Sequence, residues 1–171
     1  MLWLAIHFPN LALEVFTSPQ RKIQNPCPSV VIHRNKIVAT NSAAAKAGVL
    51  LNTSLVTAKS ITNKLQYFKK DLSKEIKELA NLSAPLHQFS SMISIAESDC
   101  LLIEVGKSLK LFTTEELLVK IHHLYLELGY TTQIRFSQSI LKAIILATTG
   151  AEHIQEADLG LARLEEHGIS S

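Results

Sequence analysis

The pattern of hydrophobic and polar positions predicts a β-hairpin near the middle of the chain. Residues 101–103 form an uninterrupted apolar run, which is typical of a strand buried on both faces. Residues 90–97 alternate between apolar and polar positions, and the two segments meet at Asp99. An aspartate at such a tip usually serves the turn, and it becomes a candidate metal ligand only if other carboxylates converge on it.

The remaining apolar runs predict short strands alternating with helices. Residues 2–8 predict a central strand that Pro9 ends, and two short strands over 29–33 and 36–40 predict a hairpin. The other predicted elements are, in chain order, a helix after Pro9, a loop over 17–28, short helices over 43–47 and 54–61, an edge strand over 64–68, helices over 71–86 and 113–128, a strand over 130–136 and a helix to Thr149.

Capping residues and apolar spacing support the two longest helices. Thr113 and Glu116 fit a capping box at the start of the second of them. In the helix over 71–86 we expect an inward stripe and a charged outer face that includes Glu75. The expected inward residues are Leu72, Ile76, Leu79 and Ala80.

The order of the elements predicts an α+β fold, with a ferredoxin-like mixed sheet and helices on one face. Residues 20–70 are predicted to be a small α+β insertion between two parts of the main domain, 1–19 and 71–150. The apolar pattern weakens over 151–171, which we interpret as an extension toward further chain.

Composition narrows the class of protein. The chain has 171 residues, of which 47% are hydrophobic and 19% charged, which indicates a globular domain. A net charge of +2 neither demands nor excludes a nucleic-acid partner. Cys27 and Cys100 form no CxxC pair, so a reducing compartment is expected. With neither a secretory signal nor a long uncharged apolar run, a cytoplasmic protein outside the membrane is predicted.

The residues alone assign no reaction. Nucleotide-binding, hydrolase and metalloprotease motifs are absent from the sequence. His122 and His123 are adjacent and face different directions on a helix, so a surface or core-edge role is expected for each. Cys100 is predicted to be a small buried residue rather than a nucleophile, since no nearby base is recognisable.

Three segments nevertheless carry a resemblance when taken together and in order. They are MLWLAIHFPNLALEV at the start, VIHRNKIVATNSAAAKAGVLLNTSL in the middle and DCLLIEVGKSLKLF at the hairpin. Together they resemble the N-terminal part of ImuB-type proteins, a non-catalytic branch of the Y-family translesion DNA polymerases. The resemblance covers about residues 1–150, the palm with its fingers insertion, although Leu51 and Asn52 stand where glycine is often seen.

The resemblance implies a palm that lacks a complete metal site. An active member needs three carboxylates to hold two Mg²⁺ ions, and their positions correspond here to Ala5, Asp99 and Cys100. Ala5 offers no ligand atom, and the soft thiol of Cys100 suits Mg²⁺ poorly. We therefore expect Ala5 to lie near Asp99 in the folded sheet, with no catalytic residue, no bound metal and no cofactor: a pseudo-polymerase.

Other positions that the resemblance implies agree with this interpretation. The Tyr and Arg that grip the triphosphate correspond to Ser42 and Ala45, and the bulky residue that excludes ribonucleotides corresponds to Asn10. Basic residues concentrate in the insertion, where they either contact phosphates weakly or form a solvated surface. The candidate DNA-binding residues are Arg34, Lys36, Lys46, Lys59 and Lys64.

The function implied is that of an adaptor in SOS-induced translesion synthesis. Its implied partners are the β sliding clamp, a RecA-like accessory protein and an error-prone C-family polymerase, bound through regions beyond residue 171. One alternative is an active translesion polymerase fragment with a displaced metal site that uses Glu97 or Glu104. Another is a stand-alone α+β interaction domain. Residues 108–112, SLKLF, resemble a clamp-binding peptide but are predicted to be a core strand.

Overall fold

The computed structural model describes residues 1–17 and 27–150. Most of the loop predicted over 17–28 and the whole extension predicted over 151–171 lie outside the described residues. Contacts divide the chain into two compact units. Among the described residues, the first contains 1–9, 79–123 and 132–150, and the second contains 10–17, 27–78 and 124–131. This division into units does not test the domain boundaries predicted from the sequence, which stay a prediction.

The helices and strands follow the predicted order. They are β1 (Trp3–His7), α1 (Leu11–Thr17), β2 (Ser29–His33), β3 (Lys36–Thr40), α2 (Ser42–Lys46), α3 (Leu55–Ile61), β4 (Gln66–Lys69), α4 (Leu72–Ser83), β5 (Ile93–Glu97), β6 (Cys100–Glu104), α5 (Thr114–Glu127), β7 (Gln133–Ser137) and α6 (Ile140–Thr149), with 3₁₀ helices at Ala84–Gln88 and Ser108–Lys110.

A four-stranded sheet in the order β5-β6-β1-β7 forms the centre of the first unit. The β5–β6, β6–β1 and β1–β7 pairings are all antiparallel, so the described residues of this sheet contain no parallel pairing of the kind that the predicted mixed sheet requires. Alternation places Leu4 and Ile6 on one face of β1 and Ala5 on the other, and all three are fully buried. Helix α6 packs on the face that carries Ala5.

A three-stranded sheet in the order β3-β2-β4 forms the second unit, and this is where parallel and antiparallel pairings are mixed. Arg34 and Asn35 join β2 to β3 with positive φ angles of 49° and 64°, as a type I′ turn requires. Asn41 caps α2 by accepting a hydrogen bond from the Ala44 backbone. The insertion predicted over 20–70 therefore has its own sheet, and its core consists of Val30, Ile37, Ala44, Val49 and Ala58.

The predicted inward face of α4 is partly wrong. Leu72 and Ile76 are 50% and 47% exposed, and Ala80 is exposed as well. Glu75, predicted to face outward, is buried instead. Its carboxylate lies 3.5 Å from the Lys70 ammonium, which compensates the charge and makes burial tolerable. The buried positions of this segment are Glu75, Leu79, Leu82 and Leu86.

The prediction of a core strand over 108–112 is also wrong. This segment begins as a 3₁₀ helix, and Leu111 is 80% exposed. The Ser108 hydroxyl donates a hydrogen bond to the Phe89 carbonyl, and the chain turns directly after β6. Thr113 then caps α5 through the predicted capping box with Glu116, so too few residues remain for a strand.

None of the helices in residues 1–17 and 27–150 combines the length and apolar character that a membrane crossing requires.

Candidate functional site

The strand register brings Asp99 and Cys100 beside His7 at the end of β1, whereas Ala5 lies further back along the strand. Ala5 on β1 lies opposite Leu102 on β6, and His7 lies opposite Cys100. Because alternate residues share a face, Ala5, His7 and Cys100 lie on the same side of the sheet. The Phe8 backbone donates to the Asp99 carbonyl at 2.8 Å, which places the hairpin tip beside the end of β1. Residues 2–8 pair with the hairpin as expected, but the expectation that Ala5 lies near Asp99 is wrong: Phe8 lies beside Asp99, three residues along β1 from Ala5.

Apolar side chains fill the space above Ala5 and Cys100. Ala143 and Ala147 of α6 are fully buried and pack with Ala5, Cys100 and Leu102 in one cluster. The partly buried side chains that close this cluster are Trp3, Ala96 and Ile144. A small residue on both the strand and the helix allows this close approach.

The Cys100 thiol is buried and has a raised pKa. Burial raises its pKa to about 12, and the negative charges of Asp99 and Glu97 add to the increase. The thiol therefore stays protonated at neutral pH, and it is neither a nucleophile nor a ligand for a hard cation. The prediction that Cys100 is a small buried residue is confirmed.

The carboxylate of Asp99 is engaged by a residue that the sequence reasoning did not single out. His7 Nε2 lies 3.3 Å from Asp99 Oδ2. Burial by itself lowers the pKa of His7, but the hydrogen bond and charge of Asp99 raise it, as do the Gln133 amide and the Ala147 backbone, and the net change is upward. The available signal was the alternation of β1, which puts His7 on the same face as Ala5.

The side chains at these positions do not fit two divalent cations. Ala5 has no donor atom, the Cys100 thiol is protonated, and only Asp99 offers oxygen. In residues 1–17 and 27–150, no three His, Cys, Asp or Glu side chains are grouped so that they could hold a metal ion.

Neither neighbouring glutamate joins Asp99. Glu97 is exposed on β5, on the other side of the turn from Asp99. Glu104 lies at the far end of β6, where its Oε1 accepts the backbone N–H groups of Gly106 at 2.8 Å and Leu2 at 3.4 Å. Neither glutamate is therefore grouped with Asp99 in the way that a displaced metal site would require.

The implied triphosphate-binding positions carry no charge. Ser42 and Ala45 are exposed on α2, and Asn10 is exposed just before α1. The Asn10 carbonyl accepts the N–H groups of Leu13 and Glu14.

The five basic candidates for DNA contact are all exposed residues of the second unit, but the described contacts give them no common ligand site. Arg34 and Lys36 lie at the β2–β3 turn, and Lys46 lies in the last turn of α2. The Lys59 ammonium lies 4.6 Å from the centre of the Tyr67 ring, a cation–π contact. Lys64 precedes β4, and its carbonyl accepts the Cys27 thiol. DNA binding by these residues stays a prediction.

His122 and His123 are exposed, as predicted. His122 Nδ1 lies 3.2 Å from the Thr132 hydroxyl, next to β7.

Comparison with solved structures identifies the fold. "Post-insertion binary complex of Dbh DNA polymerase" superposes with a TM-score of 0.71 at 18% identity, over 93% of this chain and 50% of that chain. "Dbh Ternary Complex (substrates partially disordered)" gives 0.68 at 19% identity, over 88% of this chain and 46% of that one. "Crystal Structure of DinB from Sulfolobus solfataricus" gives 0.63 at 19% identity, over 100% and 58%. The predicted α+β fold of a Y-family palm with a fingers insertion is confirmed.

The chain spans about half of the length of these solved structures. Among curated proteins, none matches it. The model of the impB/mucB/samB family, abbreviated IMS, matches residues 13–148. That match covers most of the chain, and the protein therefore belongs to the impB/mucB/samB family of Y-family polymerases and polymerase-like proteins.

Proposed function

We propose that this protein is a non-catalytic, ImuB-type member of the family that acts as an adaptor in SOS-induced translesion synthesis. One observation supports the proposal: Ala5 and Cys100, two positions at which the resemblance implies metal ligands, pack with Ala143 and Ala147 in a buried apolar cluster. A two-metal site needs hard oxygen ligands and room for two hydrated ions. Apolar packing supplies neither.

The kinetic consequence is large, whereas the fold is unaffected. Losing a catalytic metal site lowers the rate by several powers of ten, each worth about 1.4 kcal/mol of barrier. Clustered carboxylates repel one another, so replacing two of them with Ala5 and Cys100 removes a destabilising term. Such a palm would keep a stable sheet and lose its catalytic activity, which suits a subunit that acts by binding.

The adaptor role and its partners follow from the ImuB-type resemblance. We propose the β sliding clamp, a RecA-like accessory protein and an error-prone C-family polymerase as partners, contacted through regions beyond residue 171. DNA contact is proposed to be weak and limited to the exposed basic residues of the fingers-like unit. One of the solved structures is described as a binary complex of a DNA polymerase and another as a ternary complex, and this protein is proposed to share their fold without polymerase activity.

Primer extension tests the non-catalytic part of the proposal. The full-length protein is assayed on a primer–template with Mg²⁺ and then with Mn²⁺, beside an active Y-family polymerase at equal concentration. We expect no extension with either ion. Robust extension by the unmodified protein would overturn the proposal and favour a displaced metal site.

Co-purification tests the adaptor part separately. The full-length protein is recovered from DNA-damaged and undamaged cells, and the three named partners are sought by immunoblot. We expect all three in the damaged sample. Their absence there, together with inactivity in primer extension, would favour a stand-alone interaction domain instead.

A further inference from the structure

Apolar side chains are exposed together in the first unit, beside the turn that follows β6. Leu111 is 80% exposed and Leu109 is 37% exposed in this turn, and Met92, which precedes β5, is 48% exposed. The Met92 carbonyl accepts the Glu104 N–H at 3.1 Å, so the two segments are neighbours. An apolar patch that stays exposed on a folded domain often marks a site of interaction.

Two aromatic rings support this surface. The Phe89 and Phe112 rings pack edge to face, with their centres 6.1 Å apart and an interplanar angle of 72°. The Ser108 hydroxyl donates to the Phe89 carbonyl, which ties the two segments together. Residues 109–114, with Glu116, line a cavity of about 450 Å³. The Leu111 patch is defined here as Phe89, Met92, Leu109, Leu111 and Phe112.

Three exposed lysines lie in or beside the patch. Lys107 and Lys110 belong to the same turn as Leu111, and the Lys120 ammonium lies 5.5 Å from the centre of the Phe112 ring. None of the three lysines forms an ion pair in residues 1–17 and 27–150. Their charge is therefore available to a binding partner.

Two carboxylates at the start of α5 balance these lysines only in part. Glu116 Oε2 accepts the Thr113 N–H at 2.8 Å, and Glu115 Oε2 accepts the Thr114 hydroxyl at 3.0 Å. Both carboxylates are thus hydrogen-bonded within their own turn. Three ammonium groups against two carboxylates leave this surface positive.

The last described residue lies at the far end of the sheet from the patch. Gly150 is beside Gln133, which pairs with His7 at one end of β1. The turn that carries the patch follows Glu104, which pairs with Trp3 at the other end of that strand. Residues 17 and 27, where the description is interrupted, belong to the second unit. Apart from the contacts above, the side chains of the patch make no hydrogen bond, ion pair or ring contact within the described residues.

We propose that the Leu111 patch binds an amphipathic helical segment of a partner protein, in which acidic residues flank the apolar face. An amphipathic helix binds by laying its apolar face on an apolar surface. Leu109 and Leu111 would be covered by that face, and the acidic flanks would pair with the lysines. Complementary charge adds specificity and speeds association. This proposal goes beyond the adaptor role, and it holds whether or not the palm is catalytic.

A second copy of this chain suits the patch less well. It would bring the same three lysines against each other, and like charges that meet in an interface oppose binding. The Glu115 and Glu116 carboxylates of such a copy are already hydrogen-bonded at the start of α5. The positive surface therefore favours a different, acidic partner.

The experiment uses the full chain and a fluorescein-labelled helical peptide, followed by fluorescence anisotropy. The peptide carries leucine at positions i, i+3, i+4 and i+7 and glutamate on its other face. The test variant is Leu111→Ser, which changes an exposed side chain, and its affinity should fall by roughly tenfold or more. The matched control is Val56→Ser, since Val56 is 75% exposed on α3 of the second unit, and its affinity should equal that of the wild type.

Charge is tested by a second pair of variants. Lys110→Glu should weaken binding by roughly tenfold or more, because it places a carboxylate against the acidic flank. Lys77→Glu, on the exposed side of α4, should leave the affinity unchanged. A peptide in which lysine replaces glutamate should bind more weakly by a similar factor.

Reductive methylation of lysines tests access to the patch. In the free chain, Lys110 should react as fast as Lys77, and saturating peptide should slow Lys110 alone. Slow reaction of Lys110 in the free chain would show that another part of the chain covers the patch, and it would reject the proposal.

Several other outcomes would overturn the proposal. They are absence of binding at millimolar peptide, equal affinity of the wild type and Leu111→Ser, and equal affinity for the lysine peptide. Dimerisation that Leu111→Ser abolishes would identify a second copy as the occupant and would reject the acidic partner. Matched circular dichroism spectra confirm that each variant is folded.

Discussion

His7 Nε2 lies 3.3 Å from Asp99 Oδ2, and this contact joins the end of the central strand to the tip of the hairpin. The remaining carboxylate of the implied metal site is thus held by a histidine. The other ring nitrogen, His7 Nδ1, and the amide oxygen Gln133 Oε1 are both buried without a hydrogen-bond partner in the described residues. Protonation of the ring gives Nδ1 a proton to donate toward that oxygen, so the charged form of His7 suits this site.

The first prediction is a pH dependence of stability. The folded-state pKa of His7 is raised above the unfolded value of 6.5, so the folded protein holds this proton more tightly. Its contribution is fully present below the unfolded pKa and is lost as pH rises through the folded pKa. We expect the free energy of unfolding to fall as pH increases from about 6 to about 8. Urea denaturation across this range measures it.

His7→Gln is the matched variant for this effect. It should be about 1 kcal/mol less stable than wild type at low pH, because it loses a charged hydrogen bond to a partly exposed carboxylate. The difference should shrink as pH rises. A constant difference across the range would show that the His7 charge plays no part.

The second prediction concerns Gly106, where the chain leaves β6. A Cβ atom at this position would lie 2.6 Å from Glu104 Oε1. The carboxylate can swing aside, but it would then release the Leu2 and Gly106 N–H groups. We expect Gly106→Ala to lower the free energy of unfolding by about 1 kcal/mol.

A double-mutant cycle supplies the control for Gly106. Glu104→Ala removes the same hydrogen bonds and the side chain that the new methyl group meets. The combination with Gly106→Ala should therefore be less destabilised than the sum of the single variants. Strict additivity in urea denaturation would contradict this mechanism.

The third prediction tests the cap of α2 in the second unit. Asn41 Oδ1 accepts the N–H groups of Ala44 at 2.8 Å and Ser29 at 3.0 Å, and its amide donates to the Cys27 carbonyl at 2.8 Å. Asn41→Ala should destabilise by about 1–2 kcal/mol. Asn41→Asp keeps the acceptor and loses the donor, so an intermediate loss is expected. Amide exchange of Ala44 should accelerate in the alanine variant; an unchanged rate would contradict the cap.

Sequence patterns predicted correctly those features that depend only on neighbouring residues. The turn at Arg34 and Asn35 and the capping box of Thr113 and Glu116 were predictable because each depends on neighbours in sequence. The α4 face failed because two overlapping apolar stripes fit one helix, and the choice depended on the pairing of Glu75 with Lys70. Tertiary contacts of that kind leave no periodic signal.

The candidate site, like the fold, could be predicted from the sequence only in part. The correspondence of Ala5, Asp99 and Cys100 rested on a resemblance, and the register of β1 against β6 places His7, rather than Ala5, beside Asp99 and Cys100. Alternation along β1 places His7 on the same face as Ala5, but its contact with Asp99 depends on the hairpin turn lying beside the end of β1, which the sequence pattern does not show. The cover that α6 provides, with Ala143 and Ala147, is likewise a matter of packing between distant segments.

The fourth prediction concerns DNA. Binding of a primer–template should be weak, with a Kd of roughly 10⁻⁴ to 10⁻⁶ M at physiological salt, and steeply salt-dependent. Alanine at the five basic candidates should reduce the slope of log K against log salt, since each phosphate contact contributes about 0.9. The variant carries alanine at Arg34, Lys36, Lys46, Lys59 and Lys64.

A set of lysines in the first unit provides the comparison. Lys107, Lys110 and Lys120 are exposed there, and their alanine variant should leave the salt slope unchanged. Equal reductions for both sets would indicate a diffuse surface effect. Tight, salt-insensitive binding by the wild type would contradict the prediction altogether.

The last prediction restores carboxylates at the palm. In the double variant Ala5→Asp and Cys100→Glu, two carboxylates are placed in the buried cluster that contains Ala143 and Ala147. We expect a lower unfolding midpoint in chelator and recovery in Mn²⁺, because the cation compensates the buried charges. The control is Ala5→Asn with Cys100→Gln, which adds similar volume without charge and should not respond to Mn²⁺. Calorimetric titration should detect Mn²⁺ binding to the carboxylate variant alone.

Primer extension by the carboxylate variant should remain negligible, since Ser42 and Ala45 provide no charge to position a triphosphate. Positioning supplies much of the catalysis in phosphoryl transfer. Mn²⁺ binding of equal affinity in the wild type would contradict the filled-site interpretation.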